Sequence, residues 1–90
     1  MVTSELSAPT QALIREELAA NIRAARARNR LEQRDVEAGM RDLGFSQWNR
    51  GVMGKIERGQ RSLRAEEIYA LATVLGTSVA MLMSIYRRPA

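Results

Sequence analysis

The sequence predicts an all-α fold: a compact five-helix domain with a central helix-turn-helix. Three observations lead there. Proline is confined to Pro9 and Pro89, so nothing between them is barred from helix. Apolar residues recur at helical spacing, with no alternating stretch of any length to mark a strand. The chain is rich in Ala, Leu, Ile, Val and Met and poor in aromatics. Its 90 residues leave room for one domain and one core.

Residues 1–9 are small and polar and are expected to be disordered. Thr10 can cap a first helix over about 11–29, with Leu13, Ile14, Leu18, Ile22 and Ala25 as its apolar stripe. Arg15, Arg23 and Arg30 lie on its polar face. Asn29 is expected to take the left-handed turn conformation, with Leu31 tucking the turn down. A second helix begins near Glu32 or Gln33, turns Val36, Met40 and Leu43 inward, and ends at Gly44. "FSQWN" is a turn with two aromatics to bury. Asn49 then caps a third helix over 50–58, closed by Gly59. A fourth helix, 65–75, buries Ile68, Leu71, Ala72 and Leu75. It carries Glu66 and Glu67 in its first turn, where the helix dipole favours acids, and Gly76 ends it. Thr77 or Ser78 caps a fifth, with Val79, Leu82, Met83 and Ile85 or Tyr86 as its apolar face. The folded domain spans 10–86, and 87–90 form a disordered tail.

The chain has no cysteine and no histidine. Disulfides, thiolate chemistry, the usual zinc ligands and the commonest general base are therefore excluded. Glu57, Asp35 and Tyr69 stand at unrelated spacings, and no nucleophile–base pair or phosphate-cradling glycine loop occurs. The expectation is a non-enzyme with no metal, cofactor or evident small-molecule ligand. The N-terminus lacks the basic start and apolar core of a signal peptide, and no apolar run approaches the ~20 residues of a membrane span. A cytoplasmic protein is expected.

Charge is uneven along the chain. Residues 21–64 carry eleven basic side chains against five acidic ones, and ten of the eleven are arginine. Most charge runs are solvated surface, but arginine's flat fork matches phosphate and guanine edges, which favours a polyanionic partner. Projecting residues 50–58 onto a helix sharpens this. Val52, Met53 and Ile56 fall on one face; Arg50, Gly51, Gly54, Lys55 and Arg58 fall on the other. A helix laid in a major groove needs that division, and glycines on its front would let backbone approach DNA. The alternative is that the glycines only end or loosen a short helix.

Three stretches carry a resemblance. "IRAARARNRLEQRDVEAGM" resembles the first two helices of the Cro/Xre-type helix-turn-helix family of phage repressors and bacterial transcriptional regulators. "VMGKIERG" is similar to the end of that family's recognition helix, and "IYALATVLGTSVAMLM" to its last two helices. The likeness covers about 18–83. It implies a lambda-repressor-like fold and double-stranded DNA as partner.

Roles follow by position from that resemblance. Arg50, Gly51 and Lys55 occupy base-reading positions. Gln33 resembles the glutamine that reaches a phosphate and braces the recognition helix. Arg61 matches a backbone-contacting position. Apart from the resemblance, Arg34 and Arg58 are expected at the DNA backbone, and Ser46, Gln47 and Asn49 can donate to phosphates near the helix start, where backbone N–H groups add to them. Arg26 and Glu57 resemble an internal ion pair tying helix one to the end of helix three; the alternative for Arg26 is one more phosphate contact.

There are departures from the family. Glu37 stands where a small residue is usual, which puts the crossing of helices two and three in doubt. "GFSQWN" replaces a shorter turn, and Arg64 stands where Ser or Thr commonly caps helix four. Trp48 is expected to pack under the turn, with stacking on a sugar or base as the alternative.

The reading is a sequence-specific DNA-binding transcriptional regulator, expected to be a repressor although the sequence does not give the sign of regulation, acting as a homodimer on a palindrome without membrane attachment. The dimer surface is either the C-terminal helix (Met81, Leu82, Ile85, Tyr86) or the N-terminal extension (Leu6, Leu13, Ile14). The alternative is a protein-interaction module or antitoxin-like partner that keeps the fold without reading bases.

Overall fold

Thr10 opens the first helix by accepting the Leu13 N–H on its Oγ1 at 3.1 Å, which satisfies a donor that has no partner inside the helix. The computed structural model describes residues 10–84. Within them α1 runs Gln11–Arg28, α2 Gln33–Asp42, α3 Val52–Glu57, α4 Ala65–Leu75 and α5 Val79–Leu82, with no strand among the described residues. The expectations for 1–9, Ile85, Tyr86 and the 87–90 tail lie outside the described residues.

Helices α1 to α4 all stop by the same device. A left-handed residue follows each, and the next N–H returns to a carbonyl five residues back: Leu31 to Arg26 at 3.1 Å, Phe45 to Met40 at 3.0 Å, Gln60 to Lys55 at 2.8 Å and Thr77 to Ala72 at 2.9 Å. After α1 the left-handed residue is Arg30 (φ 55°), not Asn29 as the sequence led one to expect; Asn29 stays at φ −97°. Its side-chain amide donates to the carbonyls of Ala25 and Leu75, fastening the end of α1 to the end of α4. The reversal therefore falls one residue later, on a side chain that pays about 1 kcal/mol for it.

Ile22 and Ala25 of α1, Val36 and Met40 of α2, Met53 and Ile56 of α3, Leu71, Ala72 and Leu75 of α4 and Leu82 of α5 close one core, with Trp48 inside it. Helix α2 comes close to α4 because Gly39 carries no side chain: a Cβ there would stand 2.9 Å from Val74 Cγ1. Leu43 departs from its expected place and is half exposed, at 50%. It is the C-cap of α2, where the chain turns away from the core. Helix α5 also differs from expectation. It has only four residues, so one side chain, Leu82, reaches the core while Val79 and Met83 remain exposed. Asn21 of α1 fastens it by donating to the carbonyls of Leu82 (2.8 Å) and Ser84 (2.7 Å).

Candidate nucleic-acid interface

The third helix is shorter than its periodicity implies. Gly51 adopts φ 96° and is the N-cap of α3, so Arg50 and Gly51 precede the helix instead of lying on it, and Asn49 does not cap it. A left-handed residue cannot continue a right-handed helix, and the backbone enters α3 through a conformation that glycine alone adopts without strain. Gly51 also has no side chain with which to cap.

The missing cap comes from another helix. Glu37 of α2 is buried, and its Oε2 accepts the N–H of Gly51 at 3.1 Å and of Met53 at 3.0 Å. A carboxylate at a helix start satisfies the orphan donors and complements the dipole. The residue that departed from the family's small side chain thus fixes where α3 begins. Two of the N–H groups expected to assist phosphate binding at the helix start are consequently taken by protein.

The far end of α3 is held by a second buried acid. Glu57 receives a forked contact from Arg26, Nε to Oε2 at 2.6 Å and a terminal nitrogen to Oε1 at 3.0 Å. Arg26 also donates to the Leu31 carbonyl at 2.9 Å, and the bond to Glu57 raises its pKa above the ordinary arginine value against the opposing effect of burial. Gln33 Nε2 adds a third donor to Glu57 at 3.1 Å, bracing α2 against α3. Arg23 donates to the Glu57 carbonyl.

A third buried acid, Glu67, organises the turn before α3. Its carboxylate accepts from Trp48 Nε1 at 2.9 Å, Arg61 at 2.9 Å and the Arg64 N–H at 2.9 Å. Burial pushes its pKa up, but the bonds from Arg61, Arg64 and Trp48 outweigh that and hold it below the ordinary glutamate value. Trp48 is 1% exposed, so it packs inside and is closed to a base or sugar. The Arg61 guanidinium lies 5.3 Å from its ring centroid, a cation–π distance. Arg61, expected on the DNA backbone, is half-buried and committed to Glu67 and Trp48. Arg64 stands where Ser or Thr is usual, and its N–H is taken by Glu67 from the first turn of α4.

Other cations and polar groups face solvent. Arg50, Lys55, Ser46, Gln47 and Asn49 are exposed, and among the described residues Arg50 and Lys55 form no ion pair. Arg34 meets Glu32 at 2.8 Å, with both side chains exposed, a pair that water and salt readily loosen. Arg50 and Gly51 share an open cleft with Gln33, Arg34 and Arg41 between α2 and the start of α3. Gly54, expected bare on the front of α3, is instead buried. Nothing in the spacing of Glu37 or Glu67 marked them as organisers of the site; the one available signal was that Glu37 broke the family pattern.

Searches of protein-family models, of curated proteins and of solved structures found nothing that matches this chain.

Proposed function

We propose that this chain is a sequence-specific double-stranded DNA-binding regulator of lambda-repressor-like type. In this reading it represses transcription from the cytoplasm, with α3 presented to the major groove. The observation that carries the reading is the division across α3. Met53 and Ile56 are buried behind, Glu37 and Glu57 are turned inward and bonded at its two ends, and Lys55 on the helix and Arg50 just before it are exposed, with no ion-pair partner among the described residues. A rigidly held short helix with acids withdrawn and cations outward is what a groove full of phosphate and base edges requires. No helix among the described residues is long and apolar enough to cross a membrane.

One recognition helix reads few base pairs, so the reading includes a homodimer on a palindrome with half-sites about 34–36 Å apart. Selection of binding sites from random duplex DNA tests it: a palindrome at that spacing is the expected result, and recovery of no preferred sequence contradicts it. One observation favours the second reading, a protein-interaction module. Gly51, at a base-reading position, has no side chain and its N–H is taken by Glu37, so few groups remain there to specify bases. That reading expects DNA binding to be absent or indifferent to salt.

A further inference from the structure

Arg58 is expected at the DNA backbone, and its guanidinium lies over the face of α3 at Gly54. Arg58 is the C-cap of the helix, one turn after Gly54, and its guanidinium folds back over that glycine. A Cβ built on Gly54 would stand 3.0 Å from one terminal nitrogen of Arg58 and 3.8 Å from Cζ and the other. That approach is tighter than ordinary packing, so a side chain at 54 shifts the guanidinium, the free end of a long side chain, by a few tenths of an ångström. This accounts for a glycine within so short a helix: the space is filled by an arginine from the next turn. Gln60 fixes the arrangement, its Oε1 accepting from Arg58 Nε at 3.0 Å. Only Nε is used. Among the described residues the two terminal nitrogens make no hydrogen bond, and Arg58 is exposed.

A guanidinium held on the helix face with both terminal nitrogens open has the geometry for two parallel bonds to O6 and N7 of guanine in the major groove. We propose that Arg58 reads a base, that Gly54 is the vacancy that seats it, and that each half-site carries a guanine facing this turn of α3. The inference rests on the DNA-binding reading and adds to it a third reader and the class of base it takes.

The test uses the site selected by the wild-type chain. Affinities are measured for duplexes with each base pair replaced in turn, for wild type, Arg58→Ala, Arg58→Lys and Gly54→Ala, with circular dichroism melts to establish that each variant is folded. Wild type should discriminate against replacement of one G·C pair by on the order of tenfold to a hundredfold. Arg58→Ala should erase that discrimination and leave the others. Arg58→Lys should keep most affinity for random DNA and still lose it, because an ammonium is no fork. Gly54→Ala, which favours helix, should weaken it at the same base pair, because the fork is shifted from its seat. Equal loss on every duplex for Arg58→Ala, with a shallower salt dependence, makes Arg58 a phosphate contact and overturns the proposal. So does a Gly54→Ala variant with unchanged base preference. A wild type that selects no sequence overturns the DNA-binding reading itself, a distinct outcome from a selected site whose preferences survive Arg58→Ala.

Discussion

In the cluster beneath the turn, Arg61 lies over the Trp48 ring and is bonded to a buried glutamate; at α3, Arg50 and Lys55 extend into solvent with no ion-pair partner among the described residues. Both groups belong to the same basic stretch and contribute equally to its net charge. The difference is whether a buried carboxylate stands opposite. Glu57 claims Arg26 and Glu67 claims Arg61, while the Trp48 carbonyl takes Arg41 at 2.6 Å. An arginine excess is therefore a poor measure of a DNA-binding surface: part of it holds the helices that display the rest.

Substitutions that separate holding from displaying can break this comparison. Trp48→Ala should have the largest effect, about 3–5 kcal/mol of stability from lost burial and the cavity left behind, measured by urea denaturation. Arg26→Ala comes next, at about 3 kcal/mol, because it strands the Glu57 carboxylate, which is only 5% exposed. Glu37→Ala should cost about 2 kcal/mol by leaving two N–H groups at the start of α3 without an acceptor, and Glu37→Gln, which keeps an acceptor, should cost less. Arg50→Ala belongs at the bottom of the stability scale, within about 0.5 kcal/mol of wild type. It should nevertheless weaken binding to the preferred duplex by about 1–3 kcal/mol if Arg50 contacts guanine. Arg61→Ala should show the reverse pattern, with a melting temperature that falls before any DNA is added.

Acid sharpens the same contrast. Glu67 has a lowered pKa when folded, so its ionised form stabilises the folded state relative to the unfolded one. The stability it supplies is fully present above the ordinary glutamate value of about 4.3 and is lost as pH falls through the lowered folded value. Urea midpoints followed downward from pH 6 should drop in that window, and Glu67→Gln should flatten part of the fall.

Features set by nearest neighbours along the chain were legible in the sequence. Thr10 and Ser78 cap because a hydroxyl reaches an N–H three residues on, and Gly44, Gly59 and Gly76 stop helices because the left-handed turn is cheapest for glycine. The stripes of α1 and α4 and, except for Leu43, that of α2 follow from period alone, and with them most of the core. The start of α3 did not, because period cannot register a backbone reversal at Gly51 inside an apolar repeat. Glu37 reaches Gly51 from 14 residues away, and Trp48 reaches Glu67 across 19. Such bonds exist only once the helices have packed. The fork between Arg26 and Glu57 spans 31 residues and could be anticipated only from the family resemblance. Gly54 was read as exposed because a helix projection carries no information on a long side chain folding back from the next turn.

In the proposed reading, α3 is pinned from behind by buried carboxylates and presents its cations to a DNA groove. The most direct measurement is affinity for a selected duplex and for a random one of equal length, followed across salt concentration. A DNA-binding α3 should give a steep linear fall of log affinity with log salt for both, and a preference for the selected duplex that persists as salt rises. Affinity that ignores salt, or that is equal for the two duplexes throughout, would contradict it.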